Sequence, residues 1–167
     1  MGYNALQLNG KGYGEYQSII QPTTYYIVAR AVTVGTNWSA FMAKKMTMNY
    51  QAYKYDYATY FNTDSSPQKL AGENFSTSIV TAPCDNYHVI CRYNGGLILD
   101  GEMIAKPQSI STDYYDGYME LHRIYRSGWA SGAWTANYLF IAFGDSTHTQ
   151  EQAMQNSKYL MQKFNIS

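Results

Sequence analysis

The stretch whose reading decides the fold runs from residue 86 to residue 105: NYHVICRYNGGLILDGEMIA. In an extended chain successive side chains point to opposite faces, so Tyr87, Val89, Cys91 and Tyr93 share one face and His88, Ile90 and Arg92 the other. Asn94-Gly95-Gly96 then supplies residues that tolerate positive φ, and Leu97-Ile98-Leu99 resumes the apolar run. Asp100-Gly101 offers a second turn before Met103-Ile104-Ala105. The stretch therefore reads as paired antiparallel strands joined by glycine-bearing turns. It also poses a chemical question, because a histidine and an Asp-Gly pair fall in one hairpin.

The same period extends outward. Asn4 to Asn9 alternates and then meets Gly10, Gly12 and Gly14, a strand followed by a turn. Tyr25 to Val32, dense in aromatic and β-branched residues, reads as a central strand. After Gly35-Thr36-Asn37, Trp38 to Lys44 is extended, and Met46 to Tyr60 alternates, with Tyr53, Tyr55 and Tyr57 on one face. Thr63 to Pro67 is a turn cluster. Phe75 to Val80 is a further strand closed by Pro83, and Tyr118 to Ile124 and Tyr138 to Phe143 follow. Only the end changes period. Thr149 stands at a helix entry with Gln152 three residues on, the spacing of a capping box. Ala153, Met154, Ser157, Leu160, Met161 and Phe164 then form a stripe at helical spacing. The expectation is a helix over about residues 149–164, outside the strands with its stripe turned inward. With no repeat and no linker, residues 1–167 read as a single domain. The fold class is all-β, a two-sheet antiparallel β-sandwich with a C-terminal helix.

Composition narrows the function classes. Of 167 residues, 46% are hydrophobic and 16% aromatic, including 18 tyrosines, which argues against disorder and for a β-rich core. Charged residues make up 14%, and the twelve basic residues balance the twelve acidic ones, so no field draws the chain to nucleic acid. Weak charge on a Tyr-rich surface fits a protein held in an assembly. No run approaches the roughly 20 apolar residues of a membrane span, and the N-terminus has no signal-peptide pattern. Gly2 does not read as a myristoylation site, since Leu6 occupies the usual Ser/Thr position. Cys84 and Cys91 make neither a disulfide framework nor a metal site, and Cys91 reads as a core thiol.

The opening strand Ala5-Leu6-Gln7-Leu8-Asn9-Gly10, the segment from Tyr87 to Gly96 with its closing Asp100-Gly101, and the ending Tyr159-Leu160-Met161-Gln162-Lys163-Phe164-Asn165-Ile166 occur in a familiar order. Together they resemble the laminin G-like (LamG-type) jelly-roll domains of the concanavalin A-like lectin/glucanase superfamily, in particular those of bacteria and phages. Tyr87 stands where that family usually has Trp, and Asn165 where it has Gly; both Asn and Gly tolerate a left-handed helix exit. The resemblance implies the jelly-roll sandwich and, for many relatives, carbohydrate recognition.

Catalysis is not expected. Glucanases on this scaffold place acidic residues at alternate positions of one strand, where an acid and a nucleophile flank a glycosidic bond. The nearest acidic groups here are Asp100/Glu102, which straddles a turn, and Asp113/Asp116 with Glu120 further on. Asp100 reads as a turn residue. His88 is expected outward or under the helix, His122 in a strand, and His148 as a surface or packing residue. No Ser-His-Asp spacing, phosphate loop or zinc pattern stands out. No cofactor is expected; Asn62, Asp64, Asp85 and Asp145 offer oxygens to calcium but no dense loop of the calcium type.

A sugar needs an exposed aromatic platform and short polar groups for its hydroxyls. Ser127-Gly128-Trp129-Ala130-Ser131-Gly132-Ala133-Trp134-Thr135 offers these best, so Trp129 and Trp134 are the candidate ligand-binding residues, with Tyr114 and Tyr115 as secondary candidates. Trp134 could instead start the last strand and enter the core, as Trp38 is read to do. The expectation is a non-catalytic recognition or adhesion module for carbohydrate, part of a phage virion. The alternative is a structural virion protein, a capsid decoration or tail-fibre head domain, acting in attachment and assembly without glycan. The expected partners are a glycan or other viral structural proteins, with a homo-oligomer as an option, and neither nucleic acid nor membrane.

Overall fold

The computed structural model describes residues 3–10, 14–17, 24–33, 39–46, 59–62, 69–72, 79–83, 85–94, 96–106, 115–124, 134–144 and 148–167. Their elements are β1 (Leu6–Gly10), β2 (Gly14–Gln17), β3 (Thr24–Thr33), β4 (Ser39–Met46), β5 (Thr59–Asn62), β6 (Lys69–Gly72), β7 (Ile79–Pro83), β8 (His88–Tyr93), β9 (Gly96–Leu99), β10 (Glu102–Ala105), β11 (Tyr115–Ile124), β12 (Trp134–Gly144) and α1 (Gln150–Phe164). The strands form two antiparallel sheets. The first has the order β1-β12-β3-β8-β9-β10, and the second β2-β11-β4-β5-β6-β7. The all-β sandwich with a terminal helix expected from the alternation is what the chain adopts.

The first sheet is a middle layer. On one face Tyr26, Val28, Val89, Cys91 and Ile98 pack against Ala153 and Leu160 of α1. On the other face lie Ile27, Ile90, Arg92 and Leu97, none more than 1% exposed, and Tyr138 meets Phe41 of the second sheet edge-on at 5.8 Å. Burial on both faces explains why β9 reads as a continuous apolar run rather than an alternation. It also corrects one expectation. His88 lies on the face of Ile90 and Arg92, away from the helix, and that face is interior rather than outward.

The helix starts and stops as its residues dictate. Thr149 has extended backbone and accepts the Gln152 N–H, and the Gln152 side chain accepts the Thr149 N–H, so the box closes. Asn165 ends the helix at φ 58°, in the left-handed region. Lys163 lies in the last turn, where the helix dipole favours a cation. In the opening hairpin Asn94, Asp100 and Gly101 all take positive φ. Asp100 followed by Gly101 is the pair that a type I′ turn demands.

Several boundaries differ from expectation. β2 begins at Gly14, within the glycine cluster read as a turn, because Gly14 to Gln17 pairs with Leu121 to Tyr118 of distant β11. β6, unmarked by any apolar run, pairs with β5 and β7. Pro83 is the last residue of β7, closing the strand as expected, and β7 is an edge strand, where proline is tolerated. Residues 47–58 and 75–78 of the expected strands lie outside the described residues.

The registers also fix which connections share an end of the sandwich. Gly10 is opposite Trp134 and Thr33 opposite Thr135 in the first sheet. Gly14 is opposite Leu121 and Ser39 opposite Ile124 in the second. The last residues of β1, β3 and β11 and the first residues of β2, β4 and β12 therefore lie at one end of the sandwich.

Candidate functional site

Of the four candidate ligand-binding residues, Trp129 and Tyr114 lie outside the described residues. Trp134 is the first residue of β12, opposite Gly10, and Tyr115 the first of β11, opposite Met46. From Tyr115 to Ile124, β11 rises roughly 30 Å at about 3.3 Å per residue. Tyr115 thus stands at the end of the sandwich remote from Trp134, and the fold does not bring the two together. Trp38, Tyr53, Tyr55, Tyr57, Asp64, Cys84, Asp113 and Asp145 also fall outside the described set. Asn62 ends β5, and Asp116, Glu120 and His122 lie in β11. Asp85 is exposed in a turn. Among the described residues no cluster of three or more His, Cys, Asp or Glu is placed to hold a metal.

The histidine and aspartate of the opening stretch do meet. His88 Nδ1 lies 2.6 Å from Asp100 Oδ2, and the Val89 N–H donates to Asp100 Oδ1 at 2.8 Å. The Asp100 N–H in turn donates to the Val89 carbonyl at 2.9 Å. The aspartate thus extends the β8–β9 ladder by one rung, its side chain supplying the acceptor where the backbone turns away. Both carboxylate oxygens are committed within the hairpin. A hydrogen-bond count from the Asn94 turn would have found this pair in the sequence, since Ile90 faces Leu99 and the next rung brings Val89 to Asp100.

A second polar chain runs under the helix. Asn156 Nδ2 donates to the Tyr26 hydroxyl at 3.2 Å and lies 3.1 Å from His148 Nε2. Tyr26 sits opposite Cys91 in the sheet. Burial pushes the Cys91 thiol up to about 12, against smaller lowering contributions from its hydrogen bond with Tyr26 and the nearby Arg92 charge. Burial likewise raises the Tyr26 hydroxyl to about 12, opposed by the Asn156 hydrogen bond. A fully buried thiol held protonated is neither a nucleophile nor a metal ligand at neutral pH. His148 is a packing residue, its ring 6.0 Å from that of Tyr26.

One surface went unread in the sequence. Register places Gln7 opposite Asn137 and Asn137 opposite Arg30. Ala29 is opposite His88, so the next step sets Arg30 beside Tyr87. The side chains bear this out. Gln7 Nε2 donates to Asn137 Oδ1 at 3.0 Å, and the Arg30 guanidinium lies 5.0 Å over the Tyr87 ring. The four form a row across the first sheet, Gln7 exposed and the others partly so. They come from four separate strands or strand entries, and no local spacing announces them.

No family model matches the chain, and no curated protein matches it. Among solved structures it is similar to one described as "Cell entry of botulinum neurotoxin type C is dependent upon interaction with two ganglioside molecules", at 10% identity and a TM-score of 0.43. It is also similar to "Binding domain of Botulinum neurotoxin DC in complex with rat synaptotagmin II", at 8% identity and a TM-score of 0.41. Each covers 97% of this chain, and the chain spans about half of theirs, 47%. Likeness at this level carries no weight for function.

Proposed function

We propose that this chain is a non-catalytic recognition module that binds carbohydrate, built on a laminin G-like jelly roll and working in adhesion as part of a phage virion. The observation that carries the reading is where β11 ends and β12 begins. Trp129 falls in the sequence between Ile124, the last residue of β11, and Trp134, the first of β12, and both of these lie at the end of the sandwich where β1 and β3 also finish. Loops gathered at one rim of a rigid sandwich are where such folds place recognition. Aromatic rings among Gly and Ser residues suit the apolar face of a sugar. The chemically suggestive residues of the hairpin are committed to the fold: Asp100 completes a ladder, and Cys91 is buried and protonated. The reading needs no cofactor and no metal.

A glycan array probed with wild-type protein and Trp129→Ala tests it. The expected result is selective binding that falls about tenfold or more in the variant, the loss of one aromatic anchor. Binding unchanged by the substitution would remove the site assignment.

The second reading, a structural virion protein without glycan binding, draws support from edge strand β1. Leu6 is 53% exposed there, and one side of the strand pairs with no described neighbour, which suits a contact with another subunit. Light scattering distinguishes the two: this reading requires a stable oligomer, and a monomer counts against it.

A further inference from the structure

Arg30 is the residue whose surroundings call for a ligand. Its Nε is buried without a hydrogen-bond partner, and among the described residues no carboxylate stands within ion-pairing distance of it. Among the described residues the guanidinium charge is met by the π face of Tyr87. A partly buried arginine is ordinarily paired, because withdrawing its charge from water without an acceptor is costly. A planar cation pre-oriented on an aromatic ring is a ready receptor for a carboxylate, which its fork can grip with two parallel hydrogen bonds.

The neighbours say what else the ligand carries. On the side away from Tyr87 stand Asn137 and Gln7, an amide pair held by its own hydrogen bond. Each amide retains donor and acceptor capacity beyond that bond. At about 4.8 Å per strand, the row from Gln7 to Tyr87 extends on the order of 14 Å. A simple inorganic anion would use only the arginine. A molecule filling the row needs one anionic group for Arg30 and hydroxyls for the two amides.

We infer that the Gln7–Asn137–Arg30–Tyr87 row is a binding site for a carboxylate-bearing saccharide, such as a uronic acid unit. The carboxylate goes to Arg30, ring hydroxyls go to Asn137 and Gln7, and Tyr87 shields the guanidinium from below. The anion specificity stands on the Arg30 geometry. The saccharide assignment rests on the carbohydrate reading proposed above, but at a surface distinct from Trp129.

Ligand-observed saturation-transfer NMR with the full chain tests this, using D-glucuronate, methyl glucoside and acetate as probes. The expected result is that glucuronate binds wild type about tenfold more tightly than either of the others. Arg30→Gln abolishes the preference, Gln7→Ala weakens glucuronate binding, and Trp129→Ala leaves the preference intact. Should Arg30→Gln not fold, as judged by circular dichroism, Arg30→Lys replaces it; the charge remains but the fork is gone, and glucuronate binding falls. Equal binding of glucuronate and methyl glucoside by wild type overturns the proposal, as does a preference that survives loss of the guanidinium. Acetate binding as tightly as glucuronate overturns the saccharide assignment. Retained preference in Trp129→Ala, together with an array signal insensitive to that substitution, would sink the rim site while leaving this one standing.

Discussion

Asp100 holds three positions at once: a left-handed turn at φ 49°, an acceptor for the Val89 N–H, and a partner for His88. Substitutions separate these. Asp100→Asn keeps an acceptor and tolerates the backbone, so it removes chiefly the charge beside His88. Asp100→Ala removes all side-chain contacts and also strains the turn. Urea unfolding should therefore rank them, with a loss of about 1 kcal/mol for Asn and about 3 kcal/mol for Ala. Wild-type stability in both variants would show that the pair contributes nothing. Cys91 makes a complementary case. With its thiol raised to about 12 and wholly buried, it should resist iodoacetamide at pH 8 in a Cys84→Ser background and react only once urea unfolds the chain. Alkylation of the native protein would mean that the helix does not cover it.

At the scale of elements, α1 and the β9–β10 turn hold each other. The Gly101 N–H donates to Ser157 Oγ at 3.0 Å, and a Cβ on Gly101 would lie 2.5 Å from Lys158 Cγ. Since Gly101 also has φ 78°, Gly101→Ala should cost about 1–2 kcal/mol from the backbone alone, plus displacement of the Lys158 stem. Leu160→Ala should cost about 2–5 kcal/mol by opening a cavity against the sheet. Thermal melts of both variants check this, and an unchanged melting temperature for Leu160→Ala would mean that the helix is not docked. The helix, its cap and its exit were legible because each signal lies within a few residues of the element it governs. β2 and β6 were not. They are four residues long, one starts at a glycine, and both take their strand character from partners elsewhere in the chain.

For the whole molecule, the order of layers decides where chemistry can occur. The first sheet is covered by α1 on one face and faces the second sheet on the other, so the recognition proposed above is assigned to one end of the sandwich and to the part of that sheet beyond the helix. Trp129 and Trp134 stand out in the sequence because both lie in one short segment rich in Gly and Ser. The Arg30 row was invisible, because register between distant strands assembles it and one-dimensional spacing does not record register. Burial of phenols and a thiol also sets an alkaline limit. Cys91 and Tyr26 are raised to about 12 from ordinary values of 9.0 and 10.0, and burial lifts Tyr138 well above its ordinary value. Between those limits the unfolded chain releases protons that the native one retains, so stability is full below about pH 9 and falls as pH rises toward 12. Tyrosinate absorbance followed with unfolding should show the last phenols ionising only as the chain unfolds; ionisation of every tyrosine at the ordinary value in a folded protein would contradict this.

The central claim, recognition without catalysis, is met most directly by amide NMR of the wild-type protein titrated with neutral and acidic oligosaccharides. Saturable shifts are expected in residues 125–134 and at Arg30 and Asn137, with His88, Cys91 and Asp100 unmoved. Absence of any saturable shift in the folded protein, or shifts centred on His88 and Asp100, would contradict it.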